Sequence, residues 1–324
     1  MKSYLLNLYR KLPLDFRKKV KNIFKKEPQN KEVISKENIL LNLKKYEIIS
    51  FDIFDTLITR CVYEPDDIFK ILNEYFSDEK FLEKRKLAET NARNFYQHDV
   101  NIDEIYEEYA KDNNISLASA NALKKAEINI EKEMLTARND MLDLLKKLRE
   151  LNKKVIIVSD MYLPKKTITE ILDNCGYKGL YEELYVSNDI HKRKDDKSVW
   201  PFIKEKYPNK KIIHLGDNDL SDVSYPKEFG IDTIKISSSK ELLQKCSLYP
   251  SLKEFIDMRT CSDSYYLGLL FNKKLVNSPF STLTIDDFDD FVYMFHAPVL
   301  TEFLKFVIDS NQDNLLFLAR EGYY

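Results

Sequence analysis

Short apolar runs alternate along the chain with segments in which apolar residues recur at helical spacing. The runs are typical of buried strands, because they are too short for helices and are bounded by polar or turn-forming residues. Strands that alternate with helices predict a doubly wound, parallel α/β sheet with its functional site at the carboxyl ends of the strands. The predicted strands occupy residues 47–52, 155–159, 183–187, 211–215 and 233–236.

The region between the first and second predicted strands is helical in pattern throughout. We therefore expect a helical bundle, residues 61–151, to be inserted into a core formed by residues 38–60 and 152–245.

Residues 246–324 differ in composition, since their helical segments are rich in Phe, Tyr and Leu. The apolar residues 315–319 predict a core strand close to the last residue, which indicates a C-terminal domain that is truncated here. The alternative is a terminal strand that completes the core sheet.

A basic segment begins the chain. Residues 1–26 contain nine Lys or Arg residues against one acidic residue, Asp15, and their apolar positions recur close to helical spacing. A basic amphipathic helix can lie on an anionic membrane, where each cation contributes about 1 kcal/mol. The alternative is a helix docked on the protein body by its apolar stripe. Residues 27–37 are polar and are interpreted as a linker.

Composition narrows the functional classes. A length of 324 residues suits two or three domains, and a net charge of −2 argues against a nucleic-acid-binding protein. Six glycines leave no room for the glycine-rich phosphate loops of nucleotide-binding proteins. The four cysteines form no C-x-x-C pair, and no apolar run is long enough to span a membrane. We therefore expect a cytoplasmic protein, peripherally attached to the inner face of the membrane if residues 1–26 bind lipid.

Polar residues suited to phosphoryl transfer follow the predicted strands. The motifs are FDIFDT after the first strand, VIIVSD at the second, HKRKDDKSVW, and IIHLGDNDLSD. Carboxylates, a hydroxyl and a lysine at the edge of one sheet can hold a cation and an anionic substrate together. The candidates in chain order are Asp52, Thr56, Ser159, Lys194, Gly216, Asp217 and Asp222.

These motifs together resemble the haloacid dehalogenase superfamily, which consists mostly of magnesium-dependent phosphatases. The resemblance covers roughly residues 45–240. It implies that the inserted helices form a type 1 cap and that the substrate is a small phosphorylated metabolite.

The resemblance also implies a role for each candidate. Asp52 would attack phosphorus and form an aspartyl-phosphate, which water then hydrolyses. Ser159 and Thr56 would bind phosphate, and Lys194 would balance the charge of Asp52 and the phosphate. Lys192 and Lys197 are alternatives for the lysine. Mg²⁺ is the implied cofactor, and its implied ligands are Asp52, the main-chain carbonyl of Phe54, Asp217 and Asp222.

One position departs from the superfamily pattern. Its phosphatases generally have a second Asp two residues after the nucleophile, as general acid and base, and Phe54 stands there in this chain. Loss of such a group typically costs about 10²–10⁴-fold in rate. Asp55 is a candidate substitute, or else a surface residue that caps the turn. Dehalogenases of the superfamily also lack the second Asp, but they lack the Gly-Asp metal pattern as well.

The segment FLAREG, residues 317–322, resembles part of a group of large bacterial proteins encoded beside glycosyltransferases for capsule and O-antigen. This implies a phosphatase in surface polysaccharide synthesis, with a glycosyltransferase domain or partner. The alternative is a catalytically weak or non-enzymatic module that scaffolds or regulates the glycosyltransferase. His214 is predicted to be a packed core residue, and His191 is a candidate for substrate contact.

Overall fold

The computed structural model describes residues 36–245, 249–275 and 296–310, together with the single residues 289 and 292. The basic residues 1–26 and the predicted terminal strand at 315–319 lie outside this part of the chain.

The core is a parallel sheet of five strands. All five predicted strands are present, each displaced by no more than one residue at either end, and the α/β class is confirmed. The strands are β1 (Ile48–Phe51), β4 (Lys154–Ser159), β5 (Glu183–Val186), β6 (Ile212–Gly216) and β7 (Asp232–Lys235). Their order in the sheet is β5-β4-β1-β6-β7. The strand that ends at Asp52 is therefore central, between the strands that end at Ser159 and Gly216.

Helices cover both faces of this sheet, because β1, β4 and β6 are apolar on both sides. Phe51 packs in one cluster with Leu145, and Ile48 packs in the opposite cluster with Trp200. The helices of this core segment are α1 (Lys36–Leu43), α6 (Asn139–Glu150), α7 (Lys165–Asn174), α8 (Ser187–Ile190), α9 (Val199–Lys206) and α10 (Tyr225–Glu228), with a π-helical turn at Asp219–Ser224.

Four helices form the insertion between β1 and β4. They are α2 (Asp67–Phe76), α3 (Phe81–Phe95), α4 (Ile102–Asp112) and α5 (Leu117–Met134). A buried ion pair ties α3 to α5, since Arg85 donates to both carboxylate oxygens of Glu127 at 2.8 and 2.9 Å. The hydroxyl of Tyr106 on α4 donates to the same carboxylate at 2.6 Å, so three of the helices share one buried polar network.

A short antiparallel ribbon joins the insertion to the core. Its strands are β2 (Ile58–Arg60) and β3 (Leu135–Ala137), and both chain crossings pass through it. The sequence pattern predicts helix throughout this region, so the ribbon is a correction. Strands of three residues are too short to leave a detectable period in the sequence.

Further helices follow β7 and pack against the start of the insertion. They are α11 (Ser239–Lys245), α12 (Tyr249–Asp257) and α13 (Cys261–Leu267), followed by a π-helical segment at Gly268–Leu275. Arg259 and Ser264 donate to the fully buried carboxylate of Asp67 at 2.9 and 2.6 Å. A Cβ on Gly268 would lie 2.2 Å from the backbone nitrogen of Val62, so the two segments are in direct backbone contact.

Residues 283–324 form a second compact unit, in which the structure describes helix α14 (Ala297–Asp309). No helix among the described residues is both long enough and apolar enough to cross a membrane.

Candidate active site

The predicted nucleophile lies where the central strand ends. Asp52 follows β1, its backbone N–H donates to the carbonyl of Leu215 over 2.8 Å, and only 5% of the residue is exposed. The chain then turns at once, because the Ile53 carbonyl accepts a hydrogen bond from Leu57 over 2.7 Å. The carboxylate is thus held by a strand on one side and a tight turn on the other.

Lys194 joins the two acidic motifs. Its Nζ donates over 2.6 Å to Asp52 Oδ1 and over 2.6 Å to Asp222 Oδ1. Although burial opposes the charged form, the Asp222 and Asp52 carboxylates raise the pKa of Lys194, so the lysine is a fixed cation. Of the two alternatives, Lys197 pairs with Glu228 over 2.8 Å, and Lys192 makes no ion pair within the described residues.

The backbone of Lys194 is held from the end of β4. Both carboxylate oxygens of Asp160 accept from the Lys194 N–H at 2.9 Å, and Oδ2 also accepts from the Asp195 N–H at 3.3 Å. Asp160 was not predicted, although its place directly after Ser159 at a strand end was visible in the sequence. One strand end thus positions both the candidate hydroxyl and the lysine.

Asp222 is almost saturated with protein donors. Its Oδ1 accepts from Lys194 and, over 3.1 Å, from Nε2 of His214, while Oδ2 accepts from the Asn218 N–H over 3.0 Å. Although burial opposes ionisation, the Lys194 charge and the His214 hydrogen bond lower the pKa of Asp222. A Cβ at Gly216 would lie 2.4 Å from Asp222 Cγ, so the glycine is what admits this side chain.

Asp217 has the opposite environment. Within the described part of the chain its carboxylate has no hydrogen-bond or ion-pair partner, although its backbone carbonyl accepts from Lys235. Burial raises the pKa of Asp217 to about 8, and the negative charges of Asp52, Asp55 and Asp222 add to the rise. Burial also raises the pKa of Asp52, against the effect of Lys194. Neighbouring acids with raised pKa values are characteristic of a place where a cation binds.

The oxygen atoms at this place suit Mg²⁺. Asp52, Asp217 and Asp222 each offer a carboxylate oxygen, and these atoms lie within 4.8 Å of one another. The Phe54 carbonyl accepts no hydrogen bond from any described residue, so its oxygen is also available. Mg²⁺ prefers oxygen ligands, usually takes one or two protein carboxylates and keeps several waters. The unpaired Asp217 and this all-oxygen donor set fit the ion. Asp222 is the least available of the four, because three protein donors already hold it.

The two predicted phosphate-binding hydroxyls, those of Ser159 and Thr56, are both buried. Ser159 is 1% and Thr56 is 0% exposed, and neither hydroxyl oxygen has a partner among the described residues. A buried hydroxyl without a partner is costly, about 1–3 kcal/mol, and in native structures it calls for an explanation such as a ligand. Ser159 is the last residue of β4, which pairs with β1 in the sheet, and its role in phosphate binding stays a prediction. Thr56 lies within the turn that follows the nucleophile.

An aromatic ring occupies the usual general-acid position. Phe54 is half-buried, and the guanidinium carbon of Arg60 lies 4.5 Å above its ring centre. Arg60 itself donates to Glu131 of α5 at 2.6 and 2.9 Å. The position two residues after Asp52 is therefore covered by an arginine that is already paired with the insertion.

Asp55 adopts a left-handed backbone conformation with φ of 56°, which Asp tolerates better than most residues. Burial raises the pKa of its carboxyl, and the Arg60 and Arg138 charges counteract that rise. The Arg138 guanidinium also donates over 2.7 Å to the Asp55 carbonyl and fixes the turn. The negative charge of Asp55 also contributes to the raised pKa of Asp217. A carboxyl with a raised pKa in this place suits a general acid.

A cavity of about 370 Å³ with several charged residues in its wall lies between the insertion and the loop after β4. Its wall includes Arg60, Glu131, Arg93, Glu89 and Tyr162, and its charges are largely paired, as in the 2.9 Å contact between Arg93 and Glu89. Since Arg60 also covers Phe54, the cavity borders the turn that carries the nucleophile.

The insertion also meets the loop that carries Lys194. Asp99 pairs with Arg93 of α3 over 2.7 Å and with Arg193 over 3.6 Å. The rings of His98 and His191 lie 4.8 Å apart. His191 is therefore in contact with the insertion, and its role in substrate contact stays a prediction.

Comparison with known proteins gives a family match for the part of the chain that contains this site. Residues 49–236, more than half of the chain, match the model for haloacid dehalogenase-like hydrolases. No curated protein matches the chain at a significant level.

Among solved structures, the chain is similar to the HAD-hydrolase YfnB of Bacillus subtilis, which was solved bound to magnesium. The two are 18% identical over 64% of this chain and 99% of that one, with a TM-score of 0.44. The L-2-haloacid dehalogenase of Xanthobacter autotrophicus is 13% identical over 62% and 81%, with a TM-score of 0.43. A predicted phosphoglycolate phosphatase of Haemophilus somnus 129pt is 15% identical over 59% and 84%, with a TM-score of 0.38.

Proposed function

Since the chain belongs to the haloacid dehalogenase-like hydrolases, we propose that it is a Mg²⁺-dependent phosphomonoesterase that acts on a small phosphorylated metabolite. The observation that carries this proposal is the pair of neighbouring acids with raised pKa values, the buried Asp52 and the half-buried Asp217, of which the Asp217 carboxylate has no protein partner in the described chain. A dehalogenase attacks a neutral carbon centre and needs no cation beside its nucleophile. A phosphatase brings one anion against another and does need one.

In the proposed reaction Mg²⁺ supplies positive charge that offsets the approach of a phosphate dianion to a carboxylate. Asp52, Asp217 and the Phe54 carbonyl would hold it, with Asp222 nearby. Asp52 uses a carboxylate oxygen to attack phosphorus, and the bond from phosphorus to the ester oxygen breaks. Lys194 stabilises negative charge on the phosphoryl group, and the Ser159 hydroxyl donates to one of its oxygens. Water then attacks phosphorus, releases inorganic phosphate and restores the Asp52 carboxylate.

The leaving alkoxide needs a proton, and Phe54 cannot give one. Asp55 is our candidate donor, because it adjoins Phe54 in the turn after the nucleophile and because burial raises its pKa. It stands one residue beyond the usual acid position, so we expect slower turnover than in an enzyme with Asp at residue 54.

Substituting Phe54 by Asp tests this explanation. We expect Phe54→Asp to raise kcat for small phosphate esters about tenfold, which is less than the usual gain of about 10²–10⁴-fold from a general acid. The gain is limited because Arg60, now 4.5 Å from the Phe54 ring, would attract the new carboxylate and lower its pKa. Phe54→Asn is the matched control, since it has the same size and no transferable proton. An unchanged kcat with unchanged Mg²⁺ affinity would assign the proton transfer to Asp55 or water.

A substrate panel tests the proposed function itself. The wild-type protein should release inorganic phosphate from some members of a panel of small phosphate esters with Mg²⁺, and from none with EDTA. The same samples should release no halide from 2-haloacids. Halide release that is independent of metal would overturn the proposal in favour of a dehalogenase, and Mg²⁺ binding without any hydrolysis would favour a non-enzymatic module.

We further propose that the substrate belongs to surface polysaccharide synthesis and that a glycosyltransferase domain or partner acts beside this module. The support is the resemblance of residues 317–322. Independently, the basic and amphipathic pattern of residues 1–26 supports contact with an anionic membrane. Flotation with vesicles that contain anionic lipid, at low and high salt, tests the membrane contact.

A further inference from the structure

A chain of buried hydrogen bonds runs behind the acidic cluster. Ser50 Oγ lies 2.7 Å from His214 Nδ1, and His214 Nε2 lies 3.1 Å from Asp222 Oδ1. The same Asp222 oxygen accepts from Lys194, which also binds Asp52. Ser50 and His214 stand opposite each other on β1 and β6, and both are almost fully buried, at 1% and 0% exposure.

The chemistry of the groups fixes the direction of each bond. An ionised carboxylate only accepts, so His214 Nε2 carries the hydrogen that binds Asp222. Lys194 already donates to the same Asp222 oxygen, so a charged ring would place a second cation on that oxygen, and the ring is assigned as neutral. A neutral ring has one N–H, so Nδ1 is the acceptor and the Ser50 hydroxyl is the donor.

Packing alone does not account for a histidine at this position. Its neighbours along β6, Ile213 and Leu215, fill the core with apolar side chains, whereas His214 has both ring nitrogens hydrogen-bonded. The rings of Trp200 and His214 pack edge to face, with their centroids 4.8 Å apart, and this contact restricts rotation of the imidazole. The ring is held by packing while its two nitrogens connect a strand hydroxyl to an acidic site residue.

We propose that His214, oriented by Ser50, is a positioning residue for the candidate active site. It holds Asp222 Oδ1 against Lys194 and so keeps the lysine on Asp52. Because the Asn218 N–H holds the other oxygen, Asp222 is fixed beside Asp52 and Asp217 in the candidate metal cluster. This inference rests on the proposed function and extends it from the groups that would touch substrate or metal to the pair that orients them.

Mg²⁺ affinity of the full chain, measured by calorimetry, provides the first test. His214→Leu keeps an apolar side chain in the strand but removes the donor, and we expect Mg²⁺ binding to weaken about tenfold or more, as for other groups that orient metal ligands. His214→Gln can place an amide N–H near the former Nε2 and should remain within about threefold of wild type. Wild-type affinity in His214→Leu would overturn the proposal.

The imidazole ¹⁵N spectrum of the metal-free protein provides a test that does not require Mg²⁺ or activity. We expect the Nε2–H tautomer for His214 in the wild type and a mixture of tautomers in Ser50→Ala, where the donor to Nδ1 is lost. A merely packed histidine would not respond to Ser50 in this way. An Nδ1–H tautomer in the wild type, or an unchanged spectrum in Ser50→Ala, would contradict the proposal even if His214→Leu failed to fold.

The outcomes also separate this inference from the proposed function. Tautomer and Mg²⁺ changes as expected, without phosphate release from any ester, would contradict the phosphatase alone. Phosphate release with no effect of Ser50 or His214 would contradict the positioning role alone.

Discussion

Asp52→Asn is expected to lower phosphate release at least about a thousandfold, because an amide cannot form the aspartyl-phosphate on which the second step depends. The change is nearly isosteric, and the backbone N–H of residue 52 keeps its 2.8 Å bond to the Leu215 carbonyl. Lys194 retains Asp222 as a partner, so the lysine is not left buried and unpaired. Fold and melting temperature should therefore change little.

Initial rates at saturating ester and Mg²⁺ measure this effect, and single-turnover experiments with acid quench show whether the covalent intermediate is lost. Asp189→Asn is the matched control, since Asp189 is an exposed acid on α8. More than a tenth of the wild-type rate in Asp52→Asn would remove Asp52 from the role of nucleophile.

Asp217→Asn is expected to have two effects of opposite direction. Mg²⁺ affinity should fall about a hundredfold or more, because the ligand that lacks a protein partner loses its charge. In EDTA, however, the variant should melt at a higher temperature than the wild type, because Asp217 is ionised at an energetic cost in the metal-free fold. Each kcal/mol relieved corresponds to about 2–4 °C in a protein of this size.

The pH dependence follows from the direction of the shift. Burial and neighbouring acids raise the pKa of Asp217 to about 8 in the fold, above its value in the unfolded chain. The folded state then binds more protons than the unfolded state between these values, so metal-free stability falls as pH rises from about 4 to about 8. The advantage of Asp217→Asn in EDTA should be absent near pH 4 and greatest above pH 8.

Thermal melts from about pH 4 to about pH 9, with EDTA or Mg²⁺, measure both the change in metal affinity and the change in metal-free stability. Asp219→Asn is the control, since this carboxylate is exposed and pairs with Lys235 over 3.1 Å. A metal-free wild type that is as stable as Asp217→Asn at high pH would show that Asp217 is solvated or paired rather than held for a cation.

The sheet was predictable because its strands are short, apolar and separated by helices. The order of the strands along the chain does not determine their order in the sheet. In this sheet the first strand, β1, is central, with β4 and β6 on either side. The expectation that residues at different strand ends meet rested on the general geometry of parallel sheets. In the structure Asp52, Lys194 and Asp222 do meet, within hydrogen-bond distance.

What the sequence left open depends on contacts between distant residues. Nothing in HKRKDDKSVW distinguishes Lys194 from Lys192 and Lys197, and the choice is made by the Asp160 carboxylate, which holds the Lys194 backbone. The sequence predicts His214 only as a packed core residue. Its hydrogen bond to Ser50 joins residues 164 positions apart, and no local pattern indicates such a contact. The metal role of Asp222 was predicted without its three donors, which only the folded chain reveals.

The contact of Arg259 and Ser264 with Asp67 bears on how such a module is inherited. The family match ends at residue 236, but two side-chain donors of the buried Asp67 carboxylate, Arg259 and Ser264, lie beyond that point. A gene fusion that transferred residues 49–236 alone would leave this buried acid with Lys70 and the Glu64 N–H but without those two donors. We therefore expect the insertion and residues 259–268 to change together during evolution, although the family match includes only the insertion.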